Sequence, residues 1–171
     1  LGEPKASSPA LRAKVAAAAV VLLKDPDDDP FLRRDAARTL ANWGDAMSIP
    51  VLIAALDDKQ MTVRWAAIDA LGSLRDPRGM GPVAKHLGSG RETVAAANAL
   101  QFFGRAMPGL EPHLTPLLEN ENDSVRLEAC RLLVAFGTGK SAPSLVKAAK
   151  DKNAKVAEAA ATALKAIRKR P

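Results

Sequence analysis

Apolar residues recur along this chain at helical spacing, and the same spacing returns about every 30 residues. Five leucines occupy the same position in successive repeats: Leu40, Leu71, Leu100, Leu133 and Leu164. An alanine lies four residues before each leucine, and a large apolar residue, Trp43 in the first case, lies three residues after it. The positions eight residues before are Leu32, Val63, Glu92, Val125 and Val156. Because these spacings fall on one face of an α-helix, the pattern predicts five helices that each bury one apolar stripe.

A repeat of this period made of paired helices is typical of an α-solenoid. We therefore expect an all-α fold, a right-handed α–α superhelix of five helical hairpins, in which each second helix carries the stripe. The expected repeat domain covers residues 9–171 and follows a linker over residues 1–8. The expected repeats cover about residues 9–45, 46–76, 77–106, 107–138 and 139–171. No period-two run of β-branched residues predicts a strand.

Polar residues mark the predicted starts of the second helices: Asp29, Gln60, Ser89, Asn122 and Asn153. Four of the five have short side chains that can accept from the free N–H groups of a first helical turn. Ser89 and Glu92 have the spacing of a capping box, which would explain a glutamate within the apolar stripe. Gly44, Gly104 and Gly137 follow the stripe and suit left-handed C-caps.

The outward faces of the second helices carry mixed charges and a few apolar side chains. The residues on these faces that we predict to bind a partner are Arg34, Arg38, Trp65, Asp69, Asn98, Gln101, Arg105, Leu127 and Arg131. An apolar strip is predicted from Trp65, Val94, Leu127 and Val134. An exposed tryptophan flanked by arginines is typical of an interaction hot spot. The alternative is that Trp65 folds sideways and packs against the neighbouring repeat.

Charged residues also lie on the flanks of the second helices. Arg33, Arg64 and Arg126 lie on one flank, near the neighbouring repeat, whereas Asp35 and Glu128 lie on the other. Charge-assisted hydrogen bonds are the strong ones in proteins. We therefore expect these five residues to make hydrogen bonds and ion pairs between repeats.

The net charge of +6 is concentrated at the end of the sequence. Residues 151–171 hold six basic and two acidic residues, so most of the excess lies in the last helix and its tail. A basic surface along the whole chain would favour nucleic acid, and this distribution weakens that interpretation. Cys130 is the only cysteine, which is typical of a small packed side chain and compatible with a reducing compartment such as the cytoplasm. No apolar run approaches the roughly 20 residues of a membrane span.

The sequence contains no arrangement that predicts catalysis, a cofactor or a metal site. His86 and His113 occupy unrelated repeat positions, and with one cysteine they leave no zinc spacing. The acidic run within residues 25–29 lacks the glycine and the closing glutamate of a calcium loop, so turn and cap chemistry explains it better. We therefore expect no enzyme activity.

Three segments carry a resemblance to a known family: IPVLIAALDD at 49–58, TVRWAAIDALG at 62–72 and SVRLEA at 124–129. They resemble HEAT-like repeats of the short type found in phycobilisome-lyase-like and many bacterial repeat proteins. The resemblance covers about residues 9–171 and implies that the second helices line a concave binding surface. Thr93 and Ala157 stand where the family often has arginine, so we expect the ladder of arginine contacts between repeats to be incomplete.

We interpret the chain as a non-enzymatic protein–protein interaction or scaffold module. The expected partner is a protein, or a neighbouring domain of the same full-length chain, held on the concave face. The alternative is nucleic-acid binding, as in HEAT-like DNA glycosylases, through Arg34, Arg38, Arg105, Arg131, Lys165 and Lys169. Four acidic residues on the same face oppose that alternative: Asp45, Asp69, Asp76 and Glu158. A third hypothesis, suggested only by the repeat type, is an accessory or lyase subunit that acts on a chromophore-bearing protein.

Overall fold

The computed structural model describes residues 8–25, 29–88, 90–106 and 108–169. These residues form α-helices and short 3-10 turns with no strand among them, so the predicted all-α fold is confirmed. The chain divides into two compact units, residues 1–79 and 80–171. The expected linker lies outside the described residues except for Ser8, whose hydroxyl accepts from the N–H of Leu11 at 3.3 Å and caps the first helix. None of the helices described is long and apolar enough to cross a membrane.

The first unit contains two helical hairpins. Its helices are α1 (Pro9–Lys24), α2 (Pro30–Trp43), α3 (Ile49–Ala54) and α4 (Met61–Leu74), with 3-10 turns at Ala55–Asp57 and Pro77–Gly79. Helix α1 pairs with α2, α3 pairs with α4, and α2 packs along α4. Leu40, Leu52 and Leu71 are fully buried. The predicted stripe therefore forms the core of this unit, because it places the largest apolar side chains where the helices meet.

The second unit contains the other three hairpins of the described chain. Its helices are α5 (Met80–Ala84), α6 (Thr93–Ala106), α7 (Glu111–Leu114), α8 (Asp123–Phe136), α9 (Ala142–Ala148) and α10 (Ala154–Arg168). Its 3-10 turns are Lys85–Gly88, Gly90–Glu92, Thr115–Glu119 and Gly139–Ser141. The second helices α6 and α8 pack together, as do α8 and α10, and Leu100, Phe103 and Leu133 are fully buried. The α-solenoid class with five helical hairpins is thus confirmed.

The predicted caps begin most of the second helices. Asp29 accepts from the N–H of Phe31 at 2.9 Å, and Asn122 and Asn153 accept from the N–H two residues ahead at 2.9 and 3.0 Å. Gln60 precedes α4 without a side-chain cap bond. The capping box that includes Ser89 lies outside the described residues, and α6 begins at Thr93 after a 3-10 turn.

The prediction of left-handed C-caps at three glycines is wrong. Gly44 and Gly137 are extended, with φ of −65° and −73°, and Gly104 lies inside α6. The left-handed cap belongs instead to Arg75, with φ of 54°, after α4. Glycine is needed for close approach, because a Cβ at Gly44 would lie 2.5 Å from the carbonyl oxygen of Leu40.

Two members of the first predicted stripe are less buried than expected. Leu32 is 48% exposed, whereas Val63 and Val156 at the same repeat position are fully buried. Helix α2 packs against α1 and α4, so within the described chain no preceding second helix covers Leu32. Trp43, at the end of the same stripe, is half-buried. Burial at a repeat position therefore depends on the neighbouring hairpin as well as on the side chain.

Candidate partner-binding surface

Buried arginines join successive hairpins, as predicted for Arg33 and Arg126. Arg33 donates from Nε and Nη2 to the carboxylate of Asp58 in the next hairpin, at 2.8 and 3.1 Å. Arg126 makes the same pair of bonds to Asp151, at 2.7 and 3.0 Å. We call each of these two pairs an Arg–Asp clamp. Planar guanidinium and carboxylate groups match in this geometry, which gives the stack its register as well as stability.

The clamps lower the pKa of both carboxyl groups. At Asp58 burial acts to raise the pKa, but the hydrogen bonds from Arg33 and from the N–H of Gln60 bring it below its usual value. At Asp151 the hydrogen bond from Arg126 lowers the pKa and outweighs burial. Both carboxylates are therefore ionised partners in the folded protein at neutral pH.

Arg64 has a related but local role. Its Nη1 donates to the carbonyl oxygens of Asp58 at 2.7 Å and Lys59 at 3.2 Å, in the turn of its own hairpin. Arg126 similarly donates to the carbonyl oxygens of Asn120 and Glu121, at 2.8 and 2.9 Å. These arginines satisfy turn carbonyls that have no helical partner. They are structural side chains and leave the outward face to other residues.

The prediction that Asp35 and Glu128 pair between repeats is wrong. Asp35 accepts from Arg34 at 2.9 Å and lies 4.0 Å from Arg38, both on α2. Glu128 accepts from Arg131 at 2.6 Å, one turn along α8. Arg34 is adjacent to Asp35, and Arg38 and Arg131 each lie three residues from their carboxylate, so these side chains are close enough to compete with a partner on another helix. Three arginines predicted to bind a partner therefore already have a carboxylate beside them.

In the first unit, α2 and α4 contribute Arg34, Arg38, Trp65 and Asp69 to the predicted surface. Arg34 lies over the ring of Phe31, 5.1 Å from its centroid. Trp65 is half-buried, and its Nε1 is enclosed without a hydrogen-bond partner in the described structure. Asp69 is an exposed residue, yet partial burial of its carboxyl group raises its pKa against the attraction of Arg38. These two helices thus place opposite charges, such as Arg38 and Asp69, on the same surface as Trp65, whose indole nitrogen is buried.

In the second unit, a groove of about 570 Å³ runs between α6 and α8. It is lined by Gln101, Arg105, Glu128, Arg131, Leu132, Ala135 and Phe136. The fold thus brings together three of the predicted residues, Gln101, Arg105 and Arg131. Gln101 and Arg105 are exposed, and neither makes a side-chain hydrogen bond or ion pair within the described residues. We call this the α6–α8 groove.

The other predicted residues of the second unit lie outside this groove. Asn98 is exposed on α6, and Leu127 is half-buried and lines a neighbouring cavity of about 270 Å³. Val94 is exposed, whereas Val134 is half-buried. Of the strip members in this unit, Val94 is the most exposed and the other two are partly covered, so the apolar strip stays a prediction.

Sequence reasoning missed four of the residues that line the groove. All four lie on α8 with Arg131. Glu128 and Ala135 lie three and four residues from Arg131, and Leu132 and Phe136 are spaced four residues apart on the adjoining side of the helix. The sequence predicts Glu128 on a flank of α8 and Phe136, three residues after Leu133, in the buried stripe. The Phe136 ring reaches the groove because Gly104 has no side chain: a Cβ there would lie 2.6 Å from the ring.

His86 and Cys130 lie away from the groove, with His86 half-buried beside the core and Cys130 inside it. The Nδ1 of His86 is 2.8 Å from Oε2 of Glu92, which is buried in the stripe. Cys130 is fully buried, and burial raises its pKa to about 11 despite the nearby Arg126. Among the residues described, no cluster of histidine, cysteine or carboxylate side chains is arranged to hold a metal ion.

Comparison with known proteins places this fold in a family. The family model for HEAT repeats matches residues 16–104 and 111–171, which is most of the chain. An engineered protein of known structure shares 22% identity, with 95% of this chain and 85% of that chain covered and a TM-score of 0.54. The complex of CpcE and CpcF of phycocyanin lyase from Nostoc sp. PCC7120 shares 24% identity, with 89% of this chain and 65% of that chain covered, also at 0.54. At these identities the likeness shows the fold alone. No curated protein matches in a sequence comparison.

Proposed function

The chain belongs to the HEAT-repeat family, and on that premise we propose that it is a non-enzymatic protein-interaction module. Repeat folds of this type present extended surfaces that bind other macromolecules. The partner is another protein or a neighbouring domain of the same full-length chain. The contact residues are Arg34, Arg38, Trp65, Asp69, Asn98, Gln101, Arg105, Leu127 and Arg131.

The α6–α8 groove is the observation that carries this proposal. Its floor is apolar, from Leu132 and Phe136, and its rim is polar, from Gln101, Arg105 and Arg131. An apolar centre with a polar rim that includes arginine is the usual anatomy of a protein interface. The rim side chains of α6 make no structural bond in the described chain, unlike the arginines of the clamps.

The same groove supports a role without catalysis. Its one carboxylate, Glu128, is held by Arg131 at 2.6 Å. No histidine, cysteine or serine lines it, so it offers neither a nucleophile nor a base poised near neutral pH. Amide, guanidinium and apolar side chains can position a partner and exclude water from it.

Site-directed photo-cross-linking tests the proposal. A photoreactive amino acid replaces Gln101 in the groove or, as the matched control, Lys152, which is exposed in the turn before α10. In an extract of the source organism, we expect a discrete protein adduct from position 101 that excess unmodified protein suppresses. Position 152 should give none. The same adduct from both positions, or no competed adduct from position 101, would refute the proposed surface.

A further inference from the structure

We propose that the segment bound by the α6–α8 groove is acidic and extended, with a carboxylate at every third residue. This deepens the proposed function and rests on it. The outward positions predicted for the three second helices of the second unit, with Lys169 directly after α10, include four cations: Arg105, Arg131, Lys165 and Lys169. Glu158 is the one acidic residue among those outward positions. The outward positions of the first unit, by contrast, hold Arg34 and Arg38 against three aspartates.

The two groove arginines are available to a carboxylate ligand. Arg105 is exposed and makes no hydrogen bond or ion pair within the described residues. Arg131 donates from Nη1 to Glu128, and its side chain remains 61% exposed, so a ligand can still reach it. An arginine that already holds one carboxylate still has donors for another. Gln101 adds an amide on the same rim.

The spacing of the cations selects an extended ligand. Arg105, Arg131 and Lys165 lie on α6, α8 and α10, and neighbouring helices pack about 8–10 Å apart. A polyproline II segment advances about 3.1 Å per residue with three residues per turn, so every third side chain returns to one face about 9 Å further on. Such a segment would cross the α6–α8 groove from one wall to the other, with one carboxylate beside Arg105 and the next beside Arg131. A third carboxylate would then lie beyond the groove, over Lys165 on α10.

The composition of the groove favours an acidic peptide over nucleic acid. Glu128 lies within the groove, and Glu158 lies on the outward face of α10. A phosphate at every nucleotide would be repelled by these carboxylates, whereas a peptide with one acid in three residues can avoid them. The apolar floor of Leu132 and Phe136 also suits side chains better than a sugar–phosphate chain.

Fluorescence anisotropy with defined peptides tests the charge and the spacing. The probe is a labelled peptide of four Glu-Pro-Pro triplets, since proline favours the polyproline II conformation. The comparison peptides are four Gln-Pro-Pro triplets and a peptide of the same composition as the probe with its four glutamates contiguous. We expect the probe to bind at least about tenfold more tightly than either, with the advantage falling as salt rises. Equal binding of the contiguous peptide would overturn the spacing, and tighter binding of duplex DNA would overturn the ligand class.

Charge-matched variants test whether the peptide binds in the groove or is attracted non-specifically to a basic protein. One variant combines Arg105→Glu with Arg131→Gln, and the control combines Lys150→Glu with Lys140→Gln, two exposed lysines that do not line the groove. Both lower the net charge by the same three units from +6. We expect about tenfold weaker binding in the groove variant only, with circular dichroism unchanged in both. Equal weakening in the two variants would overturn the proposal.

The cross-linking experiment distinguishes failure of this inference from failure of the proposed function. If the Glu-Pro-Pro peptide suppresses the adduct at position 101, the partner uses the same acidic recognition. An adduct that survives saturating peptide overturns the acidic ligand but leaves a protein-binding groove. The absence of any competed adduct overturns both.

Discussion

Replacing Asp151 by asparagine isolates the charge in one Arg–Asp clamp. Asp151 accepts from Nε and Nη2 of Arg126, and its Oδ1 also accepts from the N–H of Asn153 at 2.8 Å. Asparagine has nearly the same shape and can keep the turn bond through its amide oxygen. Its NH₂ group, however, cannot accept from the guanidinium. The substitution therefore removes one charge-assisted bond and the negative charge while the loop stays in place.

The expected loss is about 2–3 kcal/mol in the free energy of unfolding. Removing one partner of a buried ion pair costs about 3–5 kcal/mol, and one hydrogen bond to a charged group contributes about 1.5–3 kcal/mol. The side chains of Arg126 and Asp151 are only 8% and 11% exposed, so solvent cannot replace the lost partner fully. Arg126 keeps its two carbonyl bonds, which places the loss toward the lower end. For a chain of this size the melting temperature should fall by roughly 5–10 °C.

The assay is chemical denaturation followed by circular dichroism, with hydrogen exchange to locate the loss in α8 and α10. The pKa of Asp151 is depressed in the folded state, so its contribution is present above the unfolded pKa near 3.8. That contribution is lost as pH falls through the lower folded pKa. The difference between the parent and Asp151→Asn should therefore be full at pH 7 and shrink below about pH 4.

Glu119→Gln supplies the matched control in the same pair of hairpins. Glu119 accepts from Lys147 at 2.9 Å, but the two side chains are 62% and 73% exposed. Exposed ion pairs contribute about 0–1 kcal/mol, so this variant should differ from the parent by no more than about 0.5 kcal/mol. A loss below 1 kcal/mol in Asp151→Asn, or a difference that persists unchanged at pH 3, would refute the clamp.

Three further predictions concern packing and burial. Gly104→Ala should destabilise by about 1–3 kcal/mol because its Cβ would lie 2.6 Å from the Phe136 ring; a thermal melt matching the parent would contradict this. His86→Leu should lower the free energy of unfolding by about 1–3 kcal/mol, because it removes a hydrogen bond to the buried Glu92. Adding Glu92→Val should recover most of that stability. A double variant as unstable as His86→Leu in the same melt would argue that the two side chains do not stabilise the fold as a pair. Cys130, with a pKa of about 11, should react with a thiol reagent at pH 8 only as the protein unfolds, and rapid labelling of the folded protein would disprove its burial.

The sequence predicts those features that depend on spacing within one helix. The burial of Leu40 and Leu71 follows from the 3.6-residue period, since apolar side chains at that spacing must share a face. The caps at Asp29 and Asn122 follow from short side chains that can reach the first free N–H groups. The positions of Arg33 and Arg126 also follow, because one flank of α2 and of α8 faces the next hairpin of the same unit.

Spacing within one helix does not predict a feature when two different physical causes could explain the same residue. Glycine serves both for positive φ and for close approach, and at Gly44 and Gly137 the second cause applies. A carboxylate can pair along its helix or across to another, and Asp35 pairs along its helix, with Arg34 beside it and Arg38 about one turn away. Leu32 shows the same limit for burial, since an apolar residue stays exposed where no helix covers it.

The α6–α8 groove could not be predicted from spacing within one helix, because it forms only where two helices pack side by side. Gln101 and Arg105 come from one repeat and Arg131 from the next, at different positions within the repeat, so no single period connects them. What separates these arginines from Arg126 is burial: both kinds occupy second helices, but one is enclosed by carbonyl and carboxylate oxygens and the other is not. An enclosed guanidinium stabilises the stack and cannot leave it without a large penalty. An exposed one contributes little to folding, so its presence beside an apolar floor is better explained by what it binds than by what it supports.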